Sequence, residues 1–188
     1  MTDKIEKIKI NELIPFKNHP FKARTGEEQN ELLESIRANG TLVPILVRSS
    51  LVGKYEIISG HRRVEACKEL GINTIPAIVK DLTNEEAIIT MVDANLQREN
   101  LLPSEKAFAY KMKMEAMKSQ GRRTDLTSCQ VGTKLRTDEQ IAANSEESAR
   151  QIQRYIRLTY LIPELLKMVD EQRIAFTPAV ELSYLSER

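Results

Sequence analysis

Cysteine and histidine occur only twice each in this 188-residue chain, and no long apolar run is present. A membrane-crossing helix needs about 20 consecutive apolar residues, so no membrane partner is expected. The opening segment, Met1 to Lys7, is polar and lacks the apolar stretch of a secretion signal. Cys67 and Cys129 lie far apart without metal-ligand spacing. That excludes a disulfide framework and points to a reducing cytoplasm. His19 and His61 have no carboxylate or thiol at helpful spacing, so no metal held by the protein alone is expected. Charge of one sign is also lacking: 28 Lys and Arg face 27 Asp and Glu, for a net +1. A polyanionic partner must therefore be met by local charge. Internal repeats and low-complexity tracts are absent.

What is present divides into two styles. Residues 1–80 alternate strand and helix signals. Ile5, Ile8 and Ile10 open an extended segment. Thr25-Gly26-Glu27-Glu28 has the form of a capping box, and the helix behind it carries Leu32, Leu33 and Ile36 on one face and stops at Asn39-Gly40. Val43 to Val47 and Tyr55 to Ile58 read as strands joined by a hairpin loop at Ser49 to Gly53. A helix follows from Arg62 to Leu70, then a strand from Ile75 to Val79. From Thr83 onward the pattern is helical. Thr83-Asn84-Glu85-Glu86 is a second capping box, leading a helix to Leu96, and Ser104 caps another that runs to Ser119. Residues 120–135 show no period and read as a linker, within a stretch, 104–136, that is locally basic. Met112, Met114, Met117 and Phe108 are expected in a core or at a domain contact, and Cys67 as a small buried hydrophobe. An apolar-striped helix over Pro178 to Leu185 has no stop signal before Arg188, which reads as a fragment of a longer protein.

Two stretches carry chemistry. The first is a helix-turn-helix at 137–160. Thr137-Asp138-Glu139-Gln140 opens a short helix to Asn144, the chain breaks at Ser145-Glu146, and Ser148 caps a longer helix to Leu161. At about 100° per residue, Ala149, Ile152, Tyr155, Ile156 and Thr159 fall on one side and Arg150, Arg154 and Arg157 on the other. No acid occurs from Ser148 through Ile162. Such a stripe suits phosphate contact and guanine readout, and Gln151 and Gln153 suit adenine. The bland alternative is a solvated basic face on a bundle helix. Glu146 and Glu147, in the turn, would repel a nearby phosphate.

The second stretch is Ile57-Ile58-Ser59-Gly60-His61-Arg62-Arg63-Val64, a strand, a glycine and a helix that begins with cations. The positive end of a helix disfavours cations, and a bound anion, most simply phosphate, would resolve that conflict. A chance basic cap is the alternative.

With these residues on the page, the chain resembles the ParB family of DNA-partition proteins. The family's Gly-Glu-Arg-Arg turn stands here as Gly60-His61-Arg62-Arg63. Its Glu-Asn-Leu-Gln-Arg block stands as Ala94-Asn95-Leu96-Gln97-Arg98, and its Pro-x-Glu-x-Ala helix start as Pro103-Ser104-Glu105-Lys106-Ala107. The blocks run in family order over residues 10–185. The resemblance implies an α+β fold: a small mixed-sheet, ParB/sulfiredoxin-like domain over 1–100, then an all-α helix-turn-helix domain over 101–188. It implies a partition-type, site-specific DNA-binding protein of the nucleoid. CTP with Mg2+ would switch it into a clamp of two copies on double-stranded DNA, with a ParA-type ATPase as the usual partner. Carried over, Gly60, His61, Arg62, Arg63, Asn95, Gln97 and Arg98 are the nucleotide-binding candidates. Ser148, Arg150, Gln151, Gln153, Arg154 and Arg157 are the DNA-binding candidates. No catalytic residue is assigned. Ala94 stands where the family has the carboxylate used for magnesium and hydrolysis, and alanine cannot coordinate metal. Phe21 stands where the family has a basic residue. The resemblance thus carries binding further than turnover. Two alternatives remain: a transcriptional regulator with a degenerate nucleotide site, and a nuclease or phosphotransferase on the same fold. No carboxylate cluster favours the enzyme, and the sulfiredoxin cysteine is missing from the Gly60 turn.

Overall fold

β-branched runs and apolar stripes build the first half of the chain into a sheet with two helices. The computed structural model describes residues 4–17, 19–21, 26–50, 53–98, 101–125 and 136–185. The chain divides into two units, residues 1–91 and 92–188.

The first unit holds five strands: β1 (Ile5–Lys9), β2 (Leu13–Pro15), β3 (Ile45–Ser49), β4 (Tyr55–Ser59) and β5 (Thr74–Lys80). They lie in the order β1-β5-β3-β4-β2. β1 runs antiparallel to β5, with Ile8 opposite Ile75, and β3 runs parallel to β5, with Ile45 opposite Ala77. β3 and β4 pair antiparallel, with Arg48 opposite Glu56, so the hairpin expected from the sequence forms. The short β2, unread in the sequence, pairs parallel with β4. The sheet is mixed, and the fold is α+β as expected.

The first unit also holds α1 (Glu27–Asn39) and α2 (His61–Glu69). Ile36 of α1 and Val64 and Cys67 of α2 join Ile8, Ile45, Val47, Ile57 and Ile75 in one buried cluster. Each fully enclosed aliphatic side chain contributes roughly 1.5–3 kcal/mol. Cys67 is buried, its Sγ 3.4 Å from the Thr41 hydroxyl. Across the hairpin, Arg48 reaches Glu56 at 2.5 Å, with both side chains mostly buried.

Some boundaries differ from the sequence reading, for local reasons. α1 is capped at Gly26, with no side-chain hydrogen bond; Thr25, the first residue of the expected capping box, lies outside the described residues. β3 starts at Ile45 rather than Val43, because the Val43 and Pro44 carbonyls accept from Arg63 instead of a neighbouring strand. At α3 (Asn84–Leu96) the second capping box is present: Thr83 Oγ1 accepts from the Glu86 amide, and the Thr83 amide donates to Glu86.

The second unit is helical. It contains α4 (Pro103–Asp125), α5 (Thr137–Ala143), α6 (Ala149–Leu158), α7 (Pro163–Asp170) and α8 (Phe176–Leu182). α4 continues through Gly121, past the expected end at Ser119. The rest of the expected linker, residues 126–135, lies outside the described residues. Ser104 does not cap α4; its hydroxyl and amide both donate to Asp170 at the end of α7, which ties the two helices together. On one side of α4, Tyr110 and Met114 pack with Ile141 and Ile152. On another, Ala107 packs with Leu158, Leu166, Val169 and Val180. Phe108, expected in a core or at a domain contact, is 40% exposed. Among the described residues, no helix is long and apolar enough to cross a membrane.

Candidate functional site

The Gly60 turn is built by a close approach. Gly60 has φ 107°, and a Cβ there would lie 2.6 Å from the Ile45 Cγ2 of the central strand β3. The turn therefore demands glycine twice, for its backbone angle and for contact with the sheet. α2 begins directly behind it. The first amide of this turn to bond within the helix is that of Val64, to the Gly60 carbonyl. Earlier amides of a helix have no intrahelical acceptor, which makes such an end an anion seat.

The cations of the turn are already engaged. Arg62 donates to the Glu28 carbonyl at 2.8 Å and to Gln29 Oε1 at 3.1 Å, and lies 3.4 Å from the Glu28 carboxylate. Arg63 donates to the Val43 and Pro44 carbonyls. The electrostatic conflict read in the sequence is thus met by the chain's own oxygens, on α1 and on the segment before β3. His61 packs its ring 4.4 Å from that of His19, which in turn meets Phe21 at 5.5 Å. Phe21 is buried, so its position adds an apolar wall.

The Asn95–Arg98 segment belongs to the second unit. Asn95 is enclosed at 1% exposure, whereas Gln97 and Arg98 are exposed. Gln97 and Arg98 line an open cleft of about 1260 Å³, together with Lys106, Tyr110 and the turn at Asn144 to Glu147. Ala94 is exposed and offers no ligand, and the neighbouring Asp93 carboxylate pairs with the buried Lys113 ammonium. Among the described residues, no three His, Cys, Asp or Glu side chains are grouped to hold a metal.

α5 and α6 occupy the stretch read as a helix-turn-helix. α5 starts one residue early, because the Glu139 carboxylate accepts from the Arg136 amide at 2.9 Å; the Thr137-x-x-Gln140 box is not used. Ser148 caps α6 as expected, its hydroxyl accepting from the Gln151 amide at 3.2 Å. α6 ends at Leu158, three residues short of the expected Leu161. Its inward face is set by Ile152 and Leu158, both fully buried.

The outward face is not the uniform arginine stripe expected. Arg150, in the first turn of α6, is exposed. Arg154 donates to Gln151 at 3.1 Å and Thr177 at 2.8 Å and covers the Phe176 ring at 4.9 Å. Arg157 donates to the Ser183 carbonyl at 2.7 Å and sits between Tyr184 at 4.1 Å and Tyr160 at 4.7 Å. Both arginines dock α6 on α8. On the opposite flank, exposed Gln153 donates its amide nitrogen to the buried Asp138 of α5 at 3.1 Å.

The turn acids are handled unequally. Glu147 pairs with Lys106 of α4 at 3.2 Å, which offsets the charge that would repel phosphate; Glu146 is exposed. Burial, and secondarily the Glu147 charge, push the Tyr110 phenol up to about 12, against a smaller opposing effect of its hydrogen bond with Ser145. Lys106, Tyr110 and Asp138 were not singled out by sequence reasoning. Each acts through a partner 15 or more residues away, so local pattern carries no sign of it.

Comparison with known proteins gives a consistent answer. Residues 1–96 match the family model described as ParB N-terminal domain. Stage 0 sporulation protein J of Bacillus subtilis is 36% identical over 169 residues, covering 89% of this chain and 53% of that protein. The chromosome-partitioning protein Spo0J of Thermus thermophilus is 32% identical, covering 90% of this chain and 56% of that protein. Among solved structures, the C-terminally truncated chromosome-partitioning protein ParB from Caulobacter crescentus, complexed to the centromeric parS site, is similar with TM-score 0.63 and 25% identity, over 97% of this chain and 86% of that one. The chain spans little more than half the length of the two curated relatives.

Proposed function

The chain belongs to the ParB family, and from that premise we propose that it is a site-specific DNA-binding protein of the partition type, switched by CTP. The observation that carries the DNA half is the outward face of α6. It is capped by Ser148, free of acidic residues, and presents Arg150 and Gln153 to solvent. A helix of this kind reads base edges from its N-terminal half while cations meet phosphates. The similar Caulobacter protein was solved on its parS site, and likeness to it supports duplex DNA as the ligand here. Ser148, Arg150, Gln151 and Gln153 are the contacts; Arg154 and Arg157 chiefly set the helix in place.

The nucleotide half rests on the Gly60 turn and the family resemblance. Backbone amides at the start of α2 would hold phosphate oxygens, and Arg62 and Arg63 would exchange chain oxygens for them. The resemblance also assigns Asn95, Gln97 and Arg98 to the nucleotide; Gln97 and Arg98 are exposed, and Asn95 is enclosed. The residues do not fit a metal ion: Ala94 is no ligand, and Asp93 is paired with Lys113. Mg2+ would therefore depend on phosphate oxygens and water. Two copies closing on DNA, a ParA-type ATPase partner and residence on the nucleoid follow from the resemblance.

A second reading has its own support. Arg62 and Arg63 are satisfied by the chain itself, and Ala94 and Phe21 remove family groups. These features favour a DNA-binding regulator whose nucleotide site has lapsed.

Two titrations decide between them. In fluorescence anisotropy with duplex DNA over a salt series, Arg150→Ala should weaken binding and lower the slope of log K against log salt by about 1. An unchanged slope would move the DNA surface off α6. Calorimetry with CTP, ATP, GTP and UTP should show a CTP preference; no heat at millimolar CTP with Mg2+ leaves the regulator.

A further inference from the structure

We propose that Asp138 is a positioning residue that fixes the amide orientation of Gln153 and so makes Gln153 a reader of adenine. The proposal rests on the DNA-binding reading of α6. Gln153 lies one turn from Arg150 on the outward face and is exposed. Its Nε2 donates to Asp138 Oδ2 at 3.1 Å. Among the described residues, the other polar partners of that carboxylate are also donors. Arg136 Nη2 approaches the same oxygen at 3.1 Å, and the Glu139 amide donates to Oδ1 at 3.2 Å.

A carboxylate surrounded by donors accepts only, so Gln153 must turn its nitrogen, and not its oxygen, towards α5. A glutamine amide without such a partner rotates about its last bond and exchanges oxygen for nitrogen, which makes its message to a base degenerate. Fixed in this way, Gln153 keeps its carbonyl oxygen and one N–H for the groove. One acceptor beside one donor complements adenine, whose major-groove edge offers the N6 donor and the N7 acceptor.

At the start of α5, Asp138 Oδ1 accepts from the Glu139 amide and the Glu139 carboxylate accepts from the Arg136 amide, which leaves Asp138 Oδ2 for Gln153 and Arg136. The Asp138 side chain is only 8% exposed, and a carboxylate so placed costs stability unless its partners are well set. A hollow of about 320 Å³ opens beside the pair, with Lys118 and Arg136 on its lining. Both cations are exposed, at positions suited to the phosphates flanking the base being read.

Selection of bound sequences from a randomised duplex library tests this. The wild-type chain should enrich adenine at one position, by on the order of ten-fold. Gln153→Ala should abolish that preference and leave other positions unchanged. Asp138→Asn should do the same, because asparagine can donate to the glutamine oxygen and turn the amide over; the double variant should lose nothing more. Thermal melts report folding, and Asp138→Ser serves if the asparagine variant does not fold. An adenine preference that survives at full strength in Asp138→Asn or Asp138→Ser, with only the melting temperature lowered, assigns Asp138 a structural role and overturns the proposal. Unchanged base frequencies in Gln153→Ala overturn it as well. A wild-type chain that enriches no motif removes the DNA reading of α6 itself.

Discussion

Replacing Arg157 with alanine should cost the helical unit about 2 kcal/mol and leave the salt slope of DNA binding unchanged, since hydrogen bonds and ring contacts of this kind set the magnitude. The guanidinium bonds both the carbonyl and the hydroxyl of Ser183, at 2.7 and 3.1 Å, and is sandwiched by two tyrosine rings. Hydrogen bonds from a charged donor contribute about 1.5 kcal/mol at the weak end, and partial exposure of Arg157 places them there or below. Each exposed cation–π contact adds about 0.5 kcal/mol. Water entering after truncation recovers part of the sum, which leaves about 2 kcal/mol. For a unit of under 100 residues that is a fall in Tm of roughly 10 °C. Arg157→Lys keeps the charge but not the planar fork, and should recover less than half of the loss. Circular dichroism melts and anisotropy over a salt series measure the two quantities separately. A variant that melts like the wild type while its salt slope drops by about 1 would show that Arg157 meets phosphate, and would refute the docking role.

Gly60→Ala should lower stability by about 3 kcal/mol in urea titrations, from backbone strain at φ 107° and overpacking of its Cβ against Ile45. Ile45→Val keeps the offending methyl and should bring no relief. Tyr110 should ionise near pH 12, after tyrosines with the ordinary value of 10. Its neutral form is the one folding favours, so its contribution is whole below about pH 10 and drains as pH rises towards 12. Tyrosinate absorbance should show this late step, and Tyr110→Phe should remove it. Glu86 has its carboxyl held below the usual 4.5 by the hydrogen bonds from Thr83. Its contribution is whole above that value and is lost as pH falls through the lower folded value. The stability gap between wild type and Glu86→Gln, measured by denaturation, should therefore narrow in acid.

Much of this fold could be read locally. The Thr83–Glu86 box and the Ser148 cap are short-range devices, and both form with their expected partners. Ile8, Ile45, Val47 and Ile75 announced strands by β-branched runs. β2 was missed because three residues leave no period, and its pairing with Tyr55 to Ile57 is long-range. α7, with Pro163 in its first turn, likewise went unread. The site was legible as residue types and only partly as roles. Arg157 reads as a free cation on α6 until Ser183 and Tyr184 are brought against it, and Arg62 until Glu28 is. Residues 120–125 read as linker, yet α4 runs through them, and a long helix carries one glycine such as Gly121 at a cost of about 1 kcal/mol.

The strand order sets a schedule for synthesis. β5, the neighbour of both β1 and β3, ends only at Lys80, so the first strand waits some 70 residues for its partner. Pairings of that separation are slow to close, and at ribosomal speeds of about 5–20 residues per second the wait lasts several seconds. Until then Ile5 and Ile8 have no ladder to join, while the hairpin of β3 and β4 is available. A nascent chain stalled before Thr74 should therefore be sensitive to protease, and one released beyond Lys80 should become resistant.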